Sequence, residues 1–130
     1  MKKIIALLIL LIAFYNTLFS QSKPIIYFCE KYSHGKEIGI SDKFTAGDLT
    51  LILRSDKAFM FDTLYVQADK YNPKTKKFEY YKKLKYKVNR NEKYAHFSHD
   101  FNLLEPGIIR VYVMDWLYNV IASNLVEIVE

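Results

Sequence analysis

The chain of 130 residues contains one cysteine, three prolines and four glycines. One cysteine cannot form a disulfide within the chain, so a disulfide-stapled scaffold is excluded and stability must come from packing. Cys29 lies in an apolar stretch, and we expect a small buried side chain there. Gly-x-Ser-x-Gly, phosphate-loop and His-Glu-x-x-His motifs are absent from the sequence, and few glycines remain to cradle a phosphate. We therefore predict no catalytic residue and no cofactor.

The N-terminal segment Met1–Ser20 has the pattern of a secretory signal peptide. Two lysines precede the apolar run Ile4–Tyr15, and the small residue Ser20 comes before Gln21. This is the order of basic region, apolar region and cleavage site that such peptides share. The alternative is an uncleaved membrane anchor, but a spanning helix needs roughly 20 apolar residues. We therefore predict cleavage after Ser20, no transmembrane span in the processed chain, and a periplasmic or secreted protein.

The segment that would remain, residues 21–130, is long enough for one domain and too short for two ordinary ones. About half of the chain is apolar and 16% is aromatic, which suits a packed core. Without the two N-terminal lysines it has 17 basic and 14 acidic residues, a net charge of +3. Ten of the basic residues and only two acidic ones lie in Lys70–Lys93, so positive charge is concentrated in one region.

The sequence predicts about seven short strands separated by polar turns. Apolar and polar residues alternate with period 2 in several of them, as half-buried strands require, and no window of ten residues has a helical stripe. The segments are Ile25–Tyr32, Asp48–Ser55, Asp62–Asp69, a long strand to Val88 after the turn Tyr71–Lys74, Lys93–Ser98, Ile108–Asp115 and Val120–Val129. Turns are predicted at Asn89–Glu92 and Trp116–Asn119, and Phe97–Leu104 is the best candidate for a single helical turn. Strands at this spacing predict a single antiparallel β-sandwich.

The C-terminal part supports this fold class by resemblance. Leu104–Asp115 contains a Pro-Gly turn and an alternating strand, and the segment to Ala122 contains an Asp/Asn-bearing turn and the start of a last strand. This pattern resembles the closing hairpin of bacterial exported immunoglobulin-like modules. The resemblance implies an all-β, immunoglobulin-like β-sandwich of about seven strands. Because such folds host many functions, it implies little about activity.

The basic region interleaves lysines with aromatic residues in the long strand. There, period 2 predicts that Phe78, Tyr80, Leu84, Tyr86 and Val88 share one face, and that Glu79, Tyr81, Lys83, Lys85 and Lys87 share the other. Cations beside rings can hold an anionic partner, whereas lysines on an edge strand can also simply block unwanted strand pairing. The predicted binding residues are Lys82, Lys83, Lys85, Lys87 and Tyr81.

We therefore expect a non-enzymatic binding or assembly module at the bacterial cell envelope. Its partner would be a protein or an anionic glycan or lipid surface, and nucleic acid is not expected outside the cytoplasm. Another possibility is a structural subunit that forms a homodimer through its sheet edges.

An alternative is a small exported hydrolase or enzyme inhibitor, metal-dependent through His96, His99 and Asp100. Imidazole and carboxylate are suitable zinc ligands. On an extended strand, however, positions i and i+3 point to opposite faces. Only a turn at Ser98 would bring the histidines together, so we predict no metal site.

Overall fold

A computed structural model describes residues 1–19 and 23–130. The predicted cleavage site after Ser20 lies outside the described residues. Helix α1 is followed by twelve strands, so the prediction of an all-β domain is confirmed, whereas the count of about seven strands is not. Seven of the twelve strands have four or more residues. The elements are α1 Lys2–Phe19, β1 Ile25–Cys29, β2 Lys31–Ser33, β3 Lys36–Ile38, β4 Lys43–Thr45, β5 Gly47–Asp48, β6 Thr50–Arg54, β7 Thr63–Asn72, β8 Lys77–Lys87, β9 Tyr94–Phe97, β10 Asn102–Leu103, β11 Gly107–Met114 and β12 Val120–Val129.

Two larger sheets organise these strands. One has five strands in the order β4-β12-β11-β7-β8, and the other has three in the order β1-β6-β9. Two small ladders, β2-β3 and β5-β10, complete the pairing. Neighbouring strands are antiparallel, except that β4 and β12 run parallel. Strand β8 is one edge of the five-stranded sheet, so its backbone pairs on one side only.

Both larger sheets contribute side chains to one hydrophobic core. The alternation predicted for β7 is confirmed, because Leu64, Val66 and Ala68 are buried in this core. Strand β6 is not half-buried, although its alternating sequence predicts one exposed face. Thr50 and Ile52 are buried as completely as their neighbours on the core face. The prediction for Cys29 is confirmed, since its side chain is fully buried and burial raises the pKa of its thiol.

The first part of helix α1 lies outside this core. Residues 2–12 are exposed, and the core residues that the structure describes lie between Ile26 and Ile128. Within residues 1–19 and 23–130, no helix has the length and apolarity needed to cross a membrane.

The segment Phe97–Leu104 does not form the helical turn that we expected. The chain makes a tight turn in which Asp100 has a φ of 59° and the Phe101 amide donates to the Ser98 carbonyl. This turn directs the Phe101 ring into the core, where it stacks on Phe28 at 6.4 Å between centroids. Burial of one large ring outweighs the weak local preference for a helical turn.

Candidate binding surface

A β-bulge in β8 divides the predicted binding residues between two faces. Lys82 pairs with Ala68, whereas Asp69 pairs with Tyr80, so Tyr81 is an extra residue on β8. A bulge shifts the alternation by one residue. The predicted face assignments of Phe78, Glu79, Tyr80 and Tyr81 are therefore wrong, because period 2 alone assumes an uninterrupted ladder.

Lys82 and Tyr81 lie on the inner side of the sheet, next to the turn that precedes β10. The Lys82 ammonium donates to the Asn102 carbonyl at 2.8 Å, to its Oδ1 at 2.7 Å and to the Asp100 carbonyl at 3.2 Å. Burial lowers the pKa of Lys82. Tyr81 packs against the core, and its hydroxyl accepts a hydrogen bond from the Leu104 amide at 3.4 Å. Both side chains hold the turn in place, on the side of the sheet opposite Lys83, Lys85 and Lys87.

We expect Lys82→Met to destabilise the protein by about 1–3 kcal/mol, because three acceptors lose a charged donor. Lys83→Met, one position along, should cost less than about 1 kcal/mol, since it removes only an exposed cation–ring contact. Urea unfolding of the two variants measures the difference. Equal losses would contradict the placement of the bulge.

Lys83, Lys85 and Lys87 lie on the side of the five-stranded sheet that faces away from the core, which we call the outer face. On this face, the Lys83 ammonium contacts two aromatic rings, and its Nζ lies 4.2 Å from the Tyr118 ring centroid and 5.1 Å from the Tyr65 ring centroid. The two rings stack on each other at 4.9 Å, and the adjacent Tyr118 hydroxyl raises the pKa of Tyr65. All three lysines are exposed. The outer face therefore presents a row of cations, one of which is positioned by aromatic rings.

The centre of the outer face contains a buried carboxylate, Asp69. Its oxygens accept hydrogen bonds from the Tyr112 hydroxyl and, at 2.9 Å, from Gln67 Nε2. Burial and the bond to Asp69 raise the pKa of Tyr112 to about 12. The Arg110 guanidinium lies 4.3 Å from the centroid of the neighbouring Phe78 ring. Asp69 also pairs with Arg110 across β7 and β11, so the outer face carries one hydrogen-bonded carboxylate on the strand next to an arginine.

The turn between β11 and β12, residues 116–119, forms an exposed apolar tip beside the lysine row; we call it the hairpin tip. Asp115 Oδ1 holds the turn by accepting from the Leu117 and Asn119 amides, each at 2.9 Å. Tyr118 has a φ of 64°. Trp116, Leu117 and Tyr118 are 64%, 57% and 53% exposed. The sequence correctly predicted this turn, but it did not predict a cluster of large exposed apolar side chains.

The histidines of the alternative hypothesis lie in different surroundings. The His96 ring stacks on Tyr32 at 4.0 Å between centroids, whereas His99 Nε2 lies 3.1 Å from Asp100 Oδ2 on the exposed turn. Across the part of the chain that the structure describes, no three His, Cys, Asp or Glu side chains are grouped to hold a metal ion.

A second polar cluster, on the three-stranded sheet, was missed by sequence reasoning. Glu37 of β3 accepts hydrogen bonds from the hydroxyls of Tyr27 at 2.6 Å and Tyr94 at 2.8 Å. Arg54 Nη2 lies 3.6 Å from the same carboxylate, whose side chain is only 14% exposed. The Glu37 carboxylate contacts two phenolic hydroxyls and a guanidinium, so the cluster fastens the β2-β3 hairpin to the three-stranded sheet. No sequence signal marks it, because its members are far apart in the chain.

No protein-family model matches the chain, and no curated protein is similar to it in sequence.

Proposed function

We propose that this protein is a non-enzymatic binding module exported to the bacterial cell envelope, which uses the outer face and the adjoining hairpin tip to contact an anionic partner. The observation that carries this proposal is the row Lys83, Lys85 and Lys87, exposed on one face of an edge strand. Among the described residues, the ion pairs of the structure involve none of these three lysines. Their charge is available to a ligand.

The strand order supports an immunoglobulin-like β-sandwich. In that fold, one sheet contains the first, second, fourth and fifth strands, and the other contains the third, sixth and seventh, with two added strands in variable-type domains. Of the seven longer strands here, the first, second and fifth form β1-β6-β9 and the third, sixth and seventh form β12-β11-β7, whereas the fourth, β8, lies in the second sheet beside β7. Strand β4 follows the first strand in the chain and pairs in parallel with β12, so it extends the second sheet at its edge.

Export is supported by the exposure of residues 2–12 of α1. A lysine-flanked apolar helix whose residues 2–12 are exposed and contribute nothing to the core fits a segment that is removed during secretion. The processed domain would then be periplasmic or secreted.

The edge position of β8 also bears on the homodimer hypothesis. Alternate lysines on an edge strand disfavour pairing with a second identical edge, because like charges would face each other. This arrangement favours an anionic partner over a second copy of the chain at β8.

The test is binding to an immobilised anionic polysaccharide, polygalacturonate, at rising salt. We expect Lys83→Glu/Lys85→Glu to weaken binding roughly tenfold or more at low ionic strength. The matched control is Lys74→Glu/Lys77→Glu, which makes the same charge change on the same hairpin, near its turn. Equal losses in both variants would refute the outer face as a specific surface.

A further inference from the structure

We infer that the anionic partner is the surface of a lipid bilayer, with the hairpin tip entering the interface and the lysine row facing the anionic headgroups. This inference rests on the proposed function and deepens it, because it names the chemical class of the partner.

The lysine row leads directly to the hairpin tip. Tyr65 of β7 pairs with Lys85 on one side and with Met114, the last residue of β11, on the other. Two strand spacings separate Lys85 from β11, which is about 10 Å. The contact of Lys83 with Tyr118 joins the row to the tip itself. Cations and apolar tip therefore form one continuous surface.

Other apolar side chains lie at this same end of the molecule. The loop between β6 and β7 is tied to the segment after β8, since the Val88 amide donates to Asp62 and the Phe59 amide to Glu92. This loop carries Met60, which is 85% exposed. Ile25, where the chain enters β1, is also exposed and pairs with Arg54, at the start of the same loop.

The acidic groups at this end do not cancel the lysine row. Asp62 Oδ1 is 2.7 Å from Arg90 Nε, whereas Asp115 keeps its negative charge while it accepts the amides of the tip. Asp56 and Glu92 are exposed, and further lysines at positions 57 and 93 adjoin them in the sequence. No acidic residue lies between Lys82 and Lys87.

Two observations favour a bilayer over a glycan. Sugars stack on the open faces of aromatic rings, but Tyr65 and Tyr118 stack on each other and Lys83 lies over both. In contrast, Trp116 and Leu117 are exposed at the end of a rigid turn, with cations beside them. Tryptophan and tyrosine favour the interface between lipid headgroups and chains, and lysines near them are attracted to anionic lipids.

The test uses Trp116, the only tryptophan in the chain, as an intrinsic probe. The protein is taken as export leaves it, with its mass recorded to show whether α1 is present, and is mixed with vesicles of phosphatidylcholine with or without phosphatidylglycerol. We expect Trp116 emission to shift to shorter wavelength and to be quenched by brominated lipid chains only when phosphatidylglycerol is present. High salt should reverse both effects.

Three variants separate the contributions while keeping the probe. Lys83→Glu/Lys85→Glu should weaken partition into anionic vesicles by at least about thirtyfold, and Leu117→Asp should abolish the emission shift. Lys74→Glu/Lys77→Glu should behave as wild type. If α1 is retained, Leu117→Asp still isolates the tip, because it leaves the helix unchanged.

The outcomes distinguish this inference from the proposed function. Binding to polygalacturonate with no Trp116 shift on anionic vesicles overturns the lipid inference and leaves the anionic-binding module standing. Vesicle binding without quenching by brominated lipids also overturns it, since the tip would then stay outside the interface. Wild-type protein that binds neither material overturns both.

Discussion

Phe101→Ala is expected to lower the free energy of unfolding by about 3–5 kcal/mol, the usual cost of removing a large ring from a core. The Phe101 side chain is only 1% exposed and stacks on Phe28, so its loss leaves a cavity that the strands cannot easily close. A domain of this size is stabilised by only about 5–15 kcal/mol in total. The variant should therefore be close to unfolding at 25 °C, as measured by urea denaturation.

The matched control is Leu104→Ala, three residues further along the chain. Leu104 is largely exposed, so this change should stay within about 0.5 kcal/mol of wild type. A loss of less than about 1 kcal/mol for Phe101→Ala would contradict the inward turn at Asp100 and the placement of the ring in the core.

Glu37→Ala is expected to cost about 2–3 kcal/mol, because two phenolic hydroxyls lose a charged acceptor. The β2-β3 hairpin should lose protection with it, since Glu37 fastens this hairpin to Tyr27 and Tyr94. Amide hydrogen exchange in Lys31–Ile38 measures the local effect, and urea unfolding measures the global one. Glu92→Ala, at an exposed acid, is the control. Unchanged exchange in the hairpin would contradict the fastening role.

The stability of Glu37→Ala should also depend on alkaline pH differently from that of wild type. Burial, and then the bond to Glu37, raises the pKa of Tyr27 to about 12 from 10.0, and the same causes raise the pKa of Tyr94. A raised phenol pKa in the folded state adds stability below pH 10, which is lost as pH rises through about 12. Glu37→Ala lacks part of this stabilisation, so it loses less stability than wild type as the pH rises. The difference in free energy of unfolding between wild type and variant should therefore narrow between pH 10 and about 12.

Features coded by neighbouring residues were predictable from the sequence. The turn predicted at Tyr71–Lys74 is present but lies two residues later, at residues 73–76, and the turn at Trp116–Asn119 and the strand Val120–Val129 are confirmed. In each, turn-forming residues adjoin a clear alternation, so local chemistry and tertiary packing favour the same structure.

Features that depend on distant partners were not predictable. The bulge at Tyr81 adds one residue to a strand without a sequence signature of its own, and it moved Lys82 from the predicted surface to the turn before β10. Glu37 meets Tyr94 across 57 residues of chain, so only the assembled fold reveals the cluster. The exposure of Trp116 was not predictable either, because hydropathy alone favours burial of a tryptophan.

The position of β12 within the five-stranded sheet has a consequence for how the protein folds. This strand lies between β11 and β4, and its parallel pairing joins Glu127 to Lys43 across more than 80 residues. Such long-range pairing closes slowly, because the entropy of a large loop must be overcome first. The sheet cannot be completed until β12 has left the ribosome. Under the proposed export, a chain that crosses the membrane unfolded would complete its five-stranded sheet only after β12 has crossed.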